Sequence, residues 1–351
     1  MRIVDLSDAV YEPWERFVES HPSGTIYHTS TWMRLLQETF GYMQKGFALL
    51  DGDRVVGGLP LFEVKGFRGK RLVSSPFRDR GGILVSPGAN TELLVSEAVR
   101  TCSEGKYDFL VIKEETPLGL ELMQQQGFTE SSFWITTTVD LTKGSKEIWR
   151  HLKNNAQGPV KQAERAGVDV RFAESRKEME IFYDIFFLRR KRMGIPSFSK
   201  EFFMGIWNGL CLEGKGRLLL AYQGRTPIAG ILLLLHKEKV LDGYAASALG
   251  FRDARPNDLL VWRAIEWASG EGYSIFDFGA DSPSQKSLLA FKRKWAGVHK
   301  PMHHYFLLNR TGAIELRDSS EGKYSLARGI CRRLPASVFR AVSALTVARL
   351  G

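Results

Sequence analysis

The chain echoes itself across more than a hundred residues. Ala48 to Phe62, ALLDGDRVVGGLPLF, can be laid over the stretch from Leu220, LAYQGRTPIAGILLL, so that Gly52 falls on Gly224 and Gly58 on Gly230. Both copies read as hairpins: an apolar strand, a polar turn with glycine, then an aliphatic strand. The echo continues downstream. An amphipathic stretch from Thr91 to Cys102 precedes YDFLVI at Tyr107, and Pro256 to Ala268 precedes YSIFDF at Tyr273. Leu259, Leu260, Ala264, Ile265 and Trp267 recur at helical spacing, and Pro256 suits a first helical turn, where a missing N–H costs nothing. Each half thus runs helix, hairpin, strand, helix, strand.

Residues 141 to 167 and 177 to 214 read as helical, the first with a basic outer face. The expected fold class is α/β with mixed sheets: two similar lobes with a cleft between them, where a substrate binds. The expected bounds are an N-terminal lobe at 1–140, a helical connection at 141–176, a C-terminal lobe at 177–310 and a basic amphipathic tail at 311–351.

Composition narrows the function classes. With 44% hydrophobic and 25% charged residues among 351, the chain is an ordinary globular one. Lys and Arg number 49 against 39 Asp and Glu, and Lys323, Arg328, Arg332, Arg333, Arg340 and Arg349 follow the last acid, Glu321. The excess favours phosphate, nucleic-acid or anionic-membrane surfaces without choosing among them. Cys102, Cys211 and Cys331 form no CxxC pair, so neither a zinc cluster nor a disulfide framework is expected, and a reducing cytoplasm fits. The first residues carry acids where a signal peptide needs cations, and no apolar run is long enough to span a bilayer.

Several chemistries lack their residues. There is no GxxxxGK[ST] and no GxSxG, and DFG at Asp277 has neither a glycine-rich phosphate loop nor an HRD segment beside it. His303 and His304 are adjacent in a strand and point to opposite faces, which is wrong for shared metal ligation, so no metal site is expected.

Four segments remain. In SSPFRDRGG, Gly81 and Gly82 permit close backbone approach and Arg78 and Arg80 either meet an anion or remain solvated. Arg189 to Arg192 end a helix where cations suit its dipole, and a solvated basic face is expected. In FDFGADS, Asp277 sits at the carboxyl end of a strand, where α/β sheets bind ligands, and is a candidate proton acceptor. Asp281 is expected to cap the helix that follows. In LAFKRKWAG, Phe291 and Trp295 are one turn apart and Lys292 lies on a flank, either a surface lysine or one that reaches into the cleft.

In their order, FYDIFFLRRKRMGIPSF around Tyr183, the second hairpin, LDGYAASALG around Tyr244, PNDLLVWRAIEWA, FDFGADS and FKRKWAG resemble the Fem-type (FemABX) aminoacyltransferase superfamily. So do HTSTWMRLLQETFGY, GLPLF and SSPFRDRGG in the first half. The closest likeness is to the branch found beside exopolysaccharide and protein-sorting loci, and it spans roughly residues 10 to 308.

The resemblance implies two tandem acetyltransferase-like (GNAT) lobes and transfer of an amino acid or acyl group to an amine of an envelope precursor. Phe291 and Lys292 fall on the family's Phe-Lys pair, implicated in transfer. Tyr244 falls on its substrate-contacting tyrosine, and Trp32 and Arg34 on the segment that helps hold the precursor's diphosphate. The donor it implies is aminoacyl-tRNA, with no tightly bound cofactor, and the acceptor is lipid-linked or nucleotide-linked.

The chain departs from the pattern at Leu36, where a lysine is usual, in KNNAQGPVKQAERAG, which lacks an arginine pair, and in having no long coiled-coil insertion. It also lacks the glycine cradle of acetyl-CoA enzymes after Tyr244. Two alternatives therefore stand: an N-acyltransferase using acyl-CoA or an acyl carrier on an amino sugar, and a non-catalytic module held at an anionic membrane by its tail. The expected location is the cytoplasm, peripheral on the inner face of the membrane.

Overall fold

The computed structural model describes residues 1–67, 69–309 and 325–351, so residues 311–324 of the expected tail lie outside those described. Contacts divide the chain into two units, which change among the described residues at 134/135, 300/301 and 345/346.

Unit 1 begins with β1 (Arg2–Asp5), α1 (Asp8–Ser20), α2 (Ser30–Phe40), β2 (Met43–Gln44) and the hairpin β3 (Phe47–Asp51) and β4 (Arg54–Leu59). It continues through β5 (Phe62–Gly66), β6 (Gly69–Val73), β7 (Leu84–Val85), α3 (Thr91–Glu104), β8 (Phe109–Glu114), α4 (Leu120–Gln125) and β9 (Thr129–Ser131). Unit 2 takes β10 (Ile135–Asp140), α5 (Ser145–His151), α6 (Asn154–Arg165), β11 (Val168–Phe172), α7 (Arg176–Met193) and α8 (Lys200–Ile206). It goes on with β12 (Gly216–Gln223), β13 (Thr226–His236), β14 (Lys239–Ser247), α9 (Pro256–Gly270), β15 (Ile275–Asp281), α10 (Lys286–Arg293) and β16 (Val298–Pro301). Strand β17 (His303–Leu308) belongs to unit 1, and the chain ends in α11 (Ser325–Arg333) and α12 (Ala336–Val347).

Both expected hairpins form, and they match in detail. Gly52 has φ +59° and Gly224 φ +58°, the left-handed turn conformation that glycine adopts without strain. One residue is bulged out of the second strand in each, Val56 and Ile228, at the same distance from its turn. Gly58 lies under the Trp14 ring of α1, and Gly230 under the Phe182 ring of α7. In each copy a strand also flanks the hairpin antiparallel, β1 on β3 and β11 on β12.

Unit 2 holds one seven-stranded sheet in the order β11-β12-β13-β14-β15-β10-β16. Unit 1 holds a four-stranded sheet, β1-β3-β4-β7, and a six-stranded one, β2-β5-β6-β8-β17-β9. Strand β10 therefore lies beside β15, and β17 beside β8, each from a part of the chain remote from its neighbour. The unit 2 core packs α9 and α6 on one face of the sheet through Leu259, Ala264, Ile265, Ala156, Val160 and Phe276.

The helices end where side chains replace missing backbone partners. Ser175 and Glu178 cap α7 reciprocally, and Gly194 closes it with φ +68°. Thr29 caps α2 by accepting the Trp32 N–H. The helical expectation for 177 to 214 is met by α7 and α8, broken at residues 195–199, and by the wider turn Trp207–Cys211 that follows α8.

Candidate active site

β15 runs parallel to β14 on one side for three residue pairs, Lys239–Ile275 to Leu241–Asp277, and antiparallel to β10 on the other. After Asp277 the pairing with β14 stops while that with β10 continues to Asp281, and side chains meet the freed β15 carbonyls. Lys292 reaches this point from α10 and is only 6% exposed, so it is no surface lysine. Its Nζ donates to the Phe278 carbonyl at 2.6 Å and the Gly279 carbonyl at 3.2 Å, and pairs with Asp281 Oδ2 at 2.5 Å. The two carbonyls take two of the ammonium's donors, and the carboxylate balances its charge.

Asp281 is thus the partner of Lys292 and not the helix cap expected from its position. The cap expectation fails because the chain makes a turn first: the Ser284 N–H donates to Ser282 Oγ and the helix begins only at Lys286, with no side-chain cap. Asp277 is fully buried. Its carboxylate accepts from Thr136 Oγ1 at 2.9 Å and from the Gly279 N–H at 2.7 Å, which fixes the left-handed turn at Gly279, φ +70°. The irregularity in β10 between Thr136 and Thr138 brings the Thr136 hydroxyl to it.

Phe291 packs on the α9 side of the sheet, edge-on to Trp295 with centroids 6.2 Å apart. Lys294 lies over both rings and pairs with Asp258. Tyr244 stands apart on β14, buried among the edges of Phe186, Phe198, Phe202 and Phe203. Of the Arg189 to Arg192 run, expected to be a solvated face, Arg190 folds back onto the Pro196 carbonyl at 2.7 Å, and burial pushes its guanidinium down to about 10. Arg189 reaches Ser247 Oγ at 3.2 Å.

The unit 1 candidates fall into separate places. Trp32 is buried on α2 with the Arg78 guanidinium 5.2 Å from its ring centre, while Tyr27 meets it edge-on. Arg34, two positions along the helix and so on another face, is exposed, pairing with Asp8 at 3.3 Å over the Tyr11 ring. Trp32 is therefore joined by Arg78 and not by Arg34. Arg80 is fully buried between Asp79 and Glu115, at 3.0 and 3.1 Å, and is not solvated.

Around this loop lies a buried ionisable group that the sequence did not mark. Lys113 Nζ holds the Ser75 and Arg78 carbonyls at 2.9 and 2.8 Å, and burial lowers it to about 8. Glu114 accepts the Ile83 N–H at 2.6 Å, and burial raises it to about 8. His304 meets the Asp79 carbonyl and His303 meets Glu130, so the two rings take different partners. The signal available was the Lys-Glu pair ending an otherwise apolar strand, FLVIKE.

Residues 150–293, which include Tyr244, Asp277, Phe291 and Lys292, match the family model of the acetyltransferase (GNAT) domain. No curated protein matches the chain by sequence. Among solved structures, that of FemX superposes with a TM-score of 0.68 at 16% identity, over 88% of this chain and 97% of that one. The tandem GNAT protein from the clavulanic acid biosynthesis pathway gives 0.59 at 12%, over 89% and 99%. L-PGS from Bacillus licheniformis gives 0.58 at 14%, over 88% and 94%. At these identities the likeness is one of fold. Residues 150–293 thus match the acetyltransferase (GNAT) domain, and the chain shares the tandem GNAT fold of these structures.

Proposed function

We propose that the chain forms an amide by transferring an aminoacyl or acyl group to an amine of a cell-envelope precursor, and that the end of β15 is where transfer occurs. The observation that carries this is Lys292, buried inside the matched domain, donating to the Phe278 and Gly279 carbonyls and ion-paired with Asp281. The amine attacks the carbonyl carbon of an activated ester or thioester, the C–N bond forms, and the C–O or C–S bond breaks. The proton lost by nitrogen leaves with the oxygen or sulfur. No side-chain nucleophile is required, so the site has to align the reactants and stabilise the oxyanion.

Lys292 suits that second task if a reacting oxygen takes the place of one backbone carbonyl, since the exchange keeps every donor paired. Asp277 acts through Gly279, whose N–H it holds, and so sets where the two carbonyls stand. Substrate contacts are proposed within each unit by itself: Tyr244 and Phe291 in unit 2, and Trp32, Arg34, Arg78 and Arg80 in unit 1, where Arg78 lies over the Trp32 ring. The two donors proposed are aminoacyl-tRNA, which the Fem-type sequence resemblance implies, and acyl-CoA.

The test is to incubate the protein with radiolabelled aminoacyl-tRNA and, separately, radiolabelled acyl-CoA, each with nucleotide-linked and lipid-linked amine acceptors. Label should reach an acceptor amine from one donor, and Lys292→Ala should reduce it at least about 100-fold, the scale for losing an oxyanion donor. Label transfer undiminished in the variant removes Lys292 from the chemistry.

A further inference from the structure

The two C-terminal helices are apolar or cationic on the side that no described residue of unit 2 covers. α11 is fixed from within: Gly194 leaves no room for a Cβ beside the Arg328 carbonyl, and Lys191 Nζ donates to the Arg332 carbonyl at 3.3 Å. α12 is fixed by Phe339, whose ring lies 5.5 Å from Phe187, by Arg340 donating to the Tyr183 hydroxyl at 2.7 Å, and by Ser343 accepting the Ser197 N–H. These contacts account for one face of each helix.

The other faces are left to solvent. On α11, Leu326 and Ile330, one turn apart, are 77% and 55% exposed. On α12, Val338 and Leu345 are 44% and 65% exposed, with Ala341 between them at helical spacing. Leu188 and Met193 of α7 are exposed as well. Leaving six large apolar side chains open costs about 25 cal/mol for each Å² that could be covered, which a soluble helix normally avoids with charged residues of both signs.

The charges carried by α11 and α12 are of one sign. From Ser325 to Gly351 there is no Asp or Glu, while Arg328, Arg332 and Arg333 flank the apolar positions of α11, and Arg192 is exposed on α7. A partner protein presents a mosaic of charge, whereas a bilayer rich in anionic lipid is uniformly negative and takes leucines at the depth of its headgroups.

We propose that the outer faces of α11 and α12 dock the protein on an anionic lipid bilayer, the leucines and isoleucine entering the headgroup boundary and the arginines pairing with lipid phosphates. Docking is independent of the transfer reaction, so its failure leaves the proposed function standing.

The full chain is sedimented with vesicles of equimolar phosphatidylglycerol and phosphatidylcholine, and with vesicles of phosphatidylcholine alone. Partition onto the anionic vesicles should be at least about tenfold the greater and should weaken as salt rises. The triple variant Leu326→Asp, Ile330→Asp, Leu345→Asp should lose at least about tenfold in partition while keeping the wild-type melting temperature, since all three positions are exposed. Equal sedimentation with both vesicles, or undiminished binding by the variant, overturns the proposal. So does self-association in solution that the same substitutions abolish without any vesicle binding, which would give the face to a second copy of the chain.

Discussion

In unit 2, β14 pairs with β13 along eight residues and with β15 for three, and then β14 and β15 part within a single sheet. Unit 1 opens at the corresponding place and goes further. Gly57 and Gly58, equivalents of Ala229 and Gly230, pair with Val85 and Leu84 of β7, where β13 pairs with Ser247 and Ala246 of β14. The parallel neighbour of β8, however, is a different strand, β6, through Arg71 to Val73. Between β6 and β7 the chain makes the SSPFRDRGG loop, so the sheet becomes two. Lys113 and Glu114 tie that loop down from the end of β8 by its carbonyls and by the Ile83 N–H.

The same parting is thus filled by the protein's own loop in one unit and lined by Lys292 and Asp281 in the other. The lesson is that a duplicated scaffold keeps its turns and its strand pairing while the gap in its sheet is free to diverge. The first gap is closed by the protein's own backbone, and the second, edged by Lys292, is the one proposed above for transfer.

The largest test of that contrast is at Lys292. Lys292→Ala should lower the unfolding free energy by about 3 kcal/mol besides stopping transfer, because it removes the cation paired with the buried Asp281 carboxylate. Adding Asp281→Ala should return most of the stability and none of the transfer, read by urea melts beside the label assay. A double variant that regains turnover would make the pair structural only.

The closed gap should announce itself in pH. Glu114 is raised to about 8 by burial, so the folded state keeps a proton that the unfolded chain sheds above about 4.5, and stability falls as pH rises between those values. Lys113, lowered to about 8, does the reverse: above 8 the unfolded chain holds the extra proton, and stability climbs towards pH 10.5. Glu114→Gln should therefore be the more stable protein at pH 8, by at least about 1 kcal/mol, since one unit of pKa is about 1.4 kcal/mol. The two should melt together at pH 4.5. A stability difference that does not change with pH would show that Glu114 is not held protonated.

These contrasts were unevenly legible in the sequence. The hairpins, Gly52 and Gly224, and α9 starting at Pro256 were readable because each depends on residues within one or two turns of chain. The exchange of β10 and β17 was not, because a strand's alternation names its faces and not its neighbour. Lys292 on an amphipathic helix looks the same whether solvent or a strand end faces it. Asp281 looks like a cap from position alone, since only the turn through Ser282 decides otherwise. Arg190 was read as solvated, and Arg80 as either meeting an anion or solvated, for the same reason: an arginine's burial is decided by the carboxylates and carbonyls it meets, here Asp79, Glu115 and Pro196.

Where the two units remain alike, matched substitutions should cost alike. A Cβ at Gly58 would stand 2.5 Å from Trp14 Cζ3, and one at Gly230 2.6 Å from Phe182 Cδ2. Both are helix rings laid on a strand, so Gly58→Ala and Gly230→Ala should each lose about 1–3 kcal/mol in thermal or urea unfolding. A large loss at one and none at the other would show that the helix seat on the hairpin has not been kept in both.

The smallest effect is expected at the turns, and it isolates backbone from packing. Nothing lies within 4 Å of a Cβ at Gly52 or Gly224, so alanine there meets no clash and suffers only from the positive φ, near +58° in both. Each Gly→Ala should cost about 1 kcal/mol, and each Gly→Asn less, because asparagine tolerates the left-handed region better. The ranking Gly, Asn, Ala should hold at both turns with equal spacing. An alanine as stable as glycine at either would mean that turn can leave the left-handed region, and that the match between the hairpins ends at their strands.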